Sequence, residues 1–72
     1  MRINARVRIR REQVIEVYDA DGGQKTLIIP AGGKYDGELT DESFSMESRF
    51  GVISIPRDEV FFLGLIKEAK EQ

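Results

Sequence analysis

The 72-residue chain contains no cysteine, histidine or tryptophan. Without thiolate or imidazole ligands it cannot build the usual zinc, haem or iron–sulfur site, nor a Cys/His or Ser/His catalytic pair. The longest apolar run, Val60–Ile66, is far shorter than the roughly 20 residues that span a bilayer. We therefore expect no enzyme, no metal, no cofactor and no membrane partner. No secretory signal pattern stands at the start, so a cytoplasmic location is expected.

The composition is typical of one small folded domain. Hydrophobic residues make up 40% of the chain and charged residues 33%, which excludes a disordered segment. The length fits a single domain over residues 1–72. A domain of this size buries only about 60% of the surface that its unfolded chain exposes. Packing against a second copy would add stability, so a homodimer is one expectation.

Charge is strongly segregated along the chain, although the net charge is only −2. Residues 1–11 hold five arginines and no acid, whereas residues 12–48 hold two lysines and nine acids. The guanidinium group is planar and permanently charged, and it grips phosphate or carboxylate with two parallel hydrogen bonds. The arginine-rich start is therefore the first candidate for a binding surface.

The segment RINARVRIR, residues 2–10, alternates between apolar and polar side chains. A period of two over this length predicts an amphipathic strand, with arginines on one face and Ile3, Ala5, Val7 and Ile9 on the other. Successive arginines on that face would lie about 6.5–7 Å apart, twice the rise per strand residue. This spacing is similar to the phosphate repeat of an extended nucleic-acid strand.

The following segments predict three further strands. Gln13–Tyr18 and Lys25–Ile29 are expected to form a hairpin across Asp21-Gly22, because Asp-Gly supplies the positive φ of tight turns. The apolar segment Phe50–Ile55 is the fourth strand. Between them, the polar and acidic residues 31–48 are expected to form a long surface loop, with a short strand at Tyr35–Leu39 as an open alternative and with the acids solvated rather than catalytic.

Two interpretations of the C-terminal segment stay open. Apolar residues at Phe62, Leu65, Ile66 and Ala69 have helical spacing, which predicts a long amphipathic helix beginning at Pro56. The alternative makes 60–63 a fifth strand after a short turn at 56–59, with only 65–71 helical. The predicted core consists of Ile3, Val7, Ile9, Ile15, Val17, Leu27, Ile29, Val52, Phe62, Leu65 and Ile66.

Two resemblances follow from these segments. GVISIPRDEVFFLGLIKEAK (Gly51–Lys70) and KTLIIPAGG (Lys25–Gly33) resemble PUR-repeat and Whirly-type single-stranded nucleic-acid-binding domains, in which an antiparallel sheet is backed by a C-terminal helix and two copies usually pair. GVISIPRDEVFFL (residues 51–63) is also similar to the end of an SH3-type small barrel, with a strand, a one-turn helix and a final strand. SH3-like barrels mostly bind peptides or other proteins.

The sequence therefore predicts an α+β domain: a four-stranded antiparallel sheet, or a five-stranded one, with a C-terminal helix packed on one face. Its predicted function is non-enzymatic binding. One hypothesis is a dimer that binds single-stranded nucleic acid, with contacts from Arg2, Arg6, Arg8, Arg10, Lys25 and Tyr18. The alternative is a protein-interaction module, from a phage or mobile element, that binds no nucleic acid and meets its partner through the acidic residues 36–47 or the apolar residues 60–63. Its apolar residues Val60, Phe61 and Leu63 are candidates for self-association.

Overall fold

The computed structural model describes residues 2–66. These residues form seven strands, β1 (Ile3–Ile9), β2 (Gln13–Tyr18), β3 (Gln24–Ile29), β4 (Lys34–Leu39), β5 (Ser43–Ser48), β6 (Gly51–Pro56) and β7 (Val60–Leu65). A single turn of 3₁₀ helix, Arg57–Glu59, joins β6 to β7. Five strands form one antiparallel sheet in the order β6-β5-β4-β1-β7, and β2 pairs with β3 in a separate hairpin. The described residues contain no helix of the length and hydropathy needed to cross a membrane.

The predicted α+β fold with a C-terminal helix is wrong, because the described chain is nearly all β. The residues that were to start the helix form the 3₁₀ turn and then β7, which pairs antiparallel with β1. Val60 and the two following phenylalanines are β-branched and aromatic, residue types that favour strands, and Gly64 disfavours a helix. The alternative, a strand at 60–63 after a short turn, is confirmed by the 3₁₀ turn and β7. The rest of the predicted helix, from residue 67 onward, lies outside the described residues.

The long surface loop predicted for residues 31–48 is wrong, because this segment forms β4 and β5; the alternative of a short strand at Tyr35–Leu39 is confirmed by β4. A tight turn joins the two strands, in which the Thr40 backbone N–H donates to the carbonyl oxygen of Ser43 at 2.8 Å. The Thr40 hydroxyl oxygen also accepts hydrogen bonds from the backbone N–H groups of Glu42 and Ser43. Of the acids in this segment, Asp36, Glu38 and Glu47 lie on the solvated face of the sheet and Asp41 and Glu42 lie in the turn, while Leu39 and Phe44 are buried.

The core lies between the inward faces of the strands and consists of Ala5, Val7, Ile9, Val17, Ile29, Leu39, Phe44, Ile53, Ile55 and Val60. The predicted alternation of β1 is confirmed, since Ala5, Val7 and Ile9 are at most 1% exposed. The prediction of a core position is wrong for three residues: Val52, Phe62 and Leu65 are 67%, 47% and 69% exposed. In β6 the opposite face is buried, through Ile53 and Ile55. Phe62 and Leu65 were placed by helical spacing, which a strand does not follow.

A close approach between β4 and β5 depends on the glycine at position 37. Gly37 pairs with Ala5 of β1, and the end of the Phe44 ring lies close to Gly37. A Cβ on Gly37 would lie 2.8 Å from Phe44 Cζ and would overlap the backbone carbonyl oxygen of Ser45. The absence of a side chain at Gly37 therefore leaves room for Phe44, the largest fully buried side chain.

Candidate functional site on strands β1 and β7

The arginines on β1 and at its two ends are exposed, as predicted. Two of them, Arg6 on β1 and Arg2 just before it, form ion pairs with acids of β4. Arg6 is paired with Asp36 of β4, and its Nε and Nη2 atoms donate to the two carboxylate oxygens at 2.7 and 3.1 Å. Arg2 Nε lies 3.5 Å from a carboxylate oxygen of Glu38. The basic first segment and the acidic segment that follows thus partly neutralise each other, which weakens the case for a polyanion-binding surface.

These ion pairs shift the ionisation of their members. The hydrogen bond from Arg6 holds the pKa of Asp36 below its ordinary value of 3.8, and the same contact raises the pKa of Arg6. Arg11 forms a similar two-pronged contact with Glu59, at 3.2 and 2.8 Å. Its hydrogen bonds lower the pKa of Glu59 below 4.5, with a smaller contribution from Gln13. Both carboxylates are therefore ionised at neutral pH, and neither is suited to act as a general acid.

The structure does not bring Lys25 and Tyr18 together with the arginines on one sheet. Both residues belong to the separate β2–β3 hairpin. The Lys25 ammonium lies 3.7 Å from a carboxylate oxygen of Asp19, and Tyr18 is 65% exposed. The nucleic-acid surface predicted from six residues is thus reduced to the arginines that have no acidic neighbour.

Arg8 and Arg10 are the two arginines of the predicted set that form no ion pair within residues 2–66. Arg8 is paired across the sheet with Lys34 of β4 and with Phe61 of β7. The guanidinium carbon of Arg8 lies 5.0 Å from the centre of the Phe61 ring, and that of Arg10 lies 5.8 Å from it. These are cation–π distances. We call Arg8, Arg10 and Phe61 the arginine–phenylalanine cluster.

Sequence reasoning missed this cluster because it placed Phe61 on a helix. The signal that would have found it is β-propensity: Val60 is followed by two phenylalanines directly after a turn rich in charge. Once 60–65 is read as a strand, an alternation sets the side chain of Phe61 opposite to that of the buried Val60.

Strand β7 lies at one edge of the five-stranded sheet and exposes four large apolar side chains. Phe61, Phe62, Leu63 and Leu65 are 41%, 47%, 46% and 69% exposed. The register between β1 and β7 shifts between Arg6 and Val7, a bulge that puts an extra residue into β7. Of the three residues predicted for self-association, Val60 is only 4% exposed and belongs to the core. Phe61 and Leu63 are accessible.

A small open cavity lies beside this edge. It measures about 260 Å³ and is lined by Ile3, Leu39, Thr40, Asp41, Arg57 and Phe62. Its apolar side is contributed by the three strands β1, β4 and β7, while the polar residues come from the β4–β5 turn and the 3₁₀ turn. The cavity is below the roughly 300–1,000 Å³ of typical small-molecule sites, so it fits one side chain better than a cofactor.

Residues 2–66 contain no group of three or more carboxylates placed to hold a metal ion. Comparisons of the chain with protein-family models, with curated proteins and with solved structures find no match.

Proposed function

We propose that this chain is a non-enzymatic protein-interaction module that binds its partner at strand β7. The observation that carries the proposal is the concentration of exposed apolar surface there. Half of the eight large hydrophobic side chains that are exposed among the described residues belong to this one six-residue edge strand. Exposed apolar groups gathered at one place are typical of protein–protein contacts.

An SH3-like small barrel is the scaffold we propose for this module. The support is local: β6, a single 3₁₀ turn and β7 follow one another in the order that residues 51–63 suggested. This is an analogy of fold, and fold alone does not determine function. The functional part of the proposal rests on the β7 surface.

Single-stranded nucleic acid is the less favoured partner. A nucleic-acid surface needs several free cations in a row, and affinity rises with the number of phosphates that they neutralise. On β1 the cations at positions 2 and 6 are held by Glu38 and Asp36. Near them, Arg8, Arg10 and Lys34 form no ion pair within the described residues, which leaves a short row of three cations. The guanidinium groups of Arg8 and Arg10 also lie over the Phe61 ring, which limits its use for base stacking.

The proposal is tested by selecting binders from a displayed random-peptide library on the intact chain. We expect selected peptides to lose affinity for the Leu63→Ser/Leu65→Ser variant. Val52→Ser is the matched control, because Val52 is 67% exposed, close to the 69% of Leu65, but lies on β6 at the opposite edge of the sheet. Peptides that bind both variants equally would place the site elsewhere.

The nucleic-acid alternative is tested in parallel. Fluorescence anisotropy with a random-sequence single-stranded oligonucleotide at about 50 and 200 mM salt covers the range in which phosphate contacts weaken steeply. We expect no binding that depends on Arg8 and Arg10. Salt-sensitive binding that disappears in Arg8→Ala/Arg10→Ala, together with an empty peptide selection, would overturn the proposal in favour of nucleic acid.

A further inference from the structure

We propose that β7 accepts an added strand from a partner protein, and that this strand carries acidic side chains on the face where Arg8 and Arg10 lie. The inference rests on the proposed function and adds the mode of binding and the chemistry of the partner. An extended peptide that pairs with a sheet edge gains affinity from main-chain hydrogen bonds and specificity from alternate side chains.

The first step is the availability of the edge. Within residues 2–66, β7 pairs with β1 and with no other strand. An edge strand presents a row of main-chain donors and acceptors that another strand can use. Natural edges are protected by charged side chains, proline or bulges; β7 has the sequence VFFLGL, with no charge and no proline, and its one bulge leaves the strand paired with β1 on both sides of it. The Val60 N–H donates to the carbonyl oxygen of Arg57, and the Val60 carbonyl oxygen accepts a hydrogen bond from Arg57 Nη1, so the outward groups suited to pairing with another strand are those that follow Val60.

The second step is the position of the two guanidinium groups. Arg8 belongs to β1, yet its guanidinium carbon lies 5.0 Å from the centre of the Phe61 ring on the neighbouring strand. Arg10 reaches the same ring, at 5.8 Å. Both charges are thus displaced from β1 toward the edge. A strand added about 4.8 Å beyond β7 would place every second side chain on this face, within reach of the guanidinium groups.

The third step is charge complementarity. The cross-strand neighbour of Arg8 on β4 is Lys34, which is also positively charged. Neither Arg8 nor Arg10 forms an ion pair among the described residues, although Glu59, which is bound by Arg11, also interacts with the charge of Arg10 at longer range. An aspartate or glutamate on the added strand would supply a carboxylate partner, and arginine binds carboxylates with two parallel hydrogen bonds.

The same charges disfavour a second copy of this chain. Two β7 strands pairing antiparallel would be related by a two-fold axis perpendicular to the sheet. That axis would bring Arg8 and Arg10 of both copies onto one face, close to the shared edge. Four guanidinium groups would then repel one another, and β7 itself offers no acid to balance them. An acidic partner relieves the repulsion that a second copy would create.

The cluster is also too short for a long polyanion. Along β1 the next outward arginine, Arg6, is already bound by Asp36. Beyond the other end, Glu59 lies against Arg11. A chain of phosphates that continued past the cluster in either direction would approach a carboxylate. One or two acidic side chains on a short strand match the extent of the free charge.

The test uses the intact chain and three synthetic peptides of about eight residues, the length of an ordinary strand. Valine alternates with glutamate in the first, with glutamine in the second and with lysine in the third. Calorimetry gives the affinities, and amide hydrogen exchange followed by NMR locates the binding. We expect the glutamate peptide to bind at least about fivefold more tightly than the glutamine peptide, since two exposed charge pairs contribute modestly. Protection should rise in β7 and stay unchanged in β6, the opposite edge.

Arg8→Ala/Arg10→Ala should abolish the advantage of the glutamate peptide. Arg49→Ala is the matched control, because Arg49 is also exposed and also lies over an aromatic ring, with its guanidinium carbon 6.0 Å from the centre of Phe50. Urea unfolding of each variant confirms that it is folded. An advantage that survives in the double variant would overturn the assignment to Arg8 and Arg10.

The remaining outcomes separate this inference from the proposed function. Equal affinity for the glutamate and glutamine peptides, with protection of β7, would overturn the acidic partner and leave the interaction module intact. Protection outside β7 would overturn strand addition. A doubled molar mass of the free protein, with β7 already protected, would assign the edge to a second copy. Displacement of the glutamate peptide by an oligonucleotide of similar charge at lower concentration would assign the cluster to nucleic acid.

Discussion

Replacing Gly37 by alanine removes the space on which the central part of the sheet depends. The new Cβ would overlap the carbonyl oxygen of Ser45 and lie 2.8 Å from Phe44 Cζ and 3.1 Å from Met46 Cβ. The first of these neighbours is backbone and the second is a fully buried ring. Neither can move away without displacing β5, so the clash cannot be relieved by a change of rotamer.

The expected loss is large relative to the stability of so small a domain. Overpacking a well-packed core costs about 1–3 kcal/mol, and a forced backbone shift places this substitution at the upper end. A domain of this length has a free energy of unfolding of about 4–11 kcal/mol. We therefore expect Gly37→Ala to lose about 3 kcal/mol, which lowers Tm by about 12 °C or more.

Gly64→Ala is the matched control. Gly64 is also a strand glycine opposite β1, paired with Arg6, but a Cβ there has no atom within 4 Å. Because alanine restricts the unfolded chain, this variant should be unchanged or more stable by up to about 1 kcal/mol. Urea unfolding followed by circular dichroism measures both. Free energies for the two variants within about 0.5 kcal/mol of each other would refute the steric argument, as surface substitutions differ by no more than that.

Three further predictions follow from single contacts. Asp19→Ala should lower the free energy of unfolding by about 1 kcal/mol, because Asp19 Oδ1 accepts hydrogen bonds from the backbone N–H groups of Asp21 and Gly23 in the β2–β3 turn. Asp21→Ala is the control, and equal losses for the two variants in urea unfolding would contradict the role of Asp19 in the turn. Phe44→Ala should lose about 3–5 kcal/mol, and a thermal scan showing a Tm near that of the wild type would contradict the burial of this ring. The Arg11–Glu59 pair contributes stability that is present above the unfolded pKa of Glu59 and is lost as the pH falls through its lowered folded pKa. The wild type should therefore lose more stability than Glu59→Gln between neutral pH and pH values below 4.5, and parallel pH profiles would show that the pair contributes nothing.

The parts of the fold that sequence reasoning predicted correctly are those with a strong local period or a specific turn residue. The alternation of β1 predicted its buried face, and Asp21-Gly22 located the hairpin, where Gly22 has a φ of 86°. These signals depend on neighbours within a few positions. The β4–β5 hairpin has no such signal, because its buried Phe44 is surrounded by serines and acids that are equally common in loops.

The candidate site was predicted only in part, since it depends on contacts between distant segments. The outward direction of Arg8 and Arg10 follows from the period of β1. Whether each arginine forms an ion pair depends on the strand register, which places Asp36 opposite Arg6 but Lys34 and Phe61 opposite Arg8. A register set by strands about thirty and more than fifty positions away is not visible in the local sequence. The error at β7 also separated Phe61 from Arg8 and Arg10, because a helix at this position does not pair with β1.

The pairing of β1 with β7 has a consequence for how the domain is made. Ala5 of β1 pairs with Leu65 of β7, which is sixty positions later in the chain. Such distant contacts slow folding, because a long loop must close before any hydrogen bond rewards it. Until β7 has left the ribosome, β1 has no neighbouring strand on the side opposite β4. That side of β1 is then an unpaired edge, and its core residues are only partly covered. The sheet can therefore be completed only after β7 has been made, and a chain in which β7 is not yet paired exposes an edge that favours aggregation.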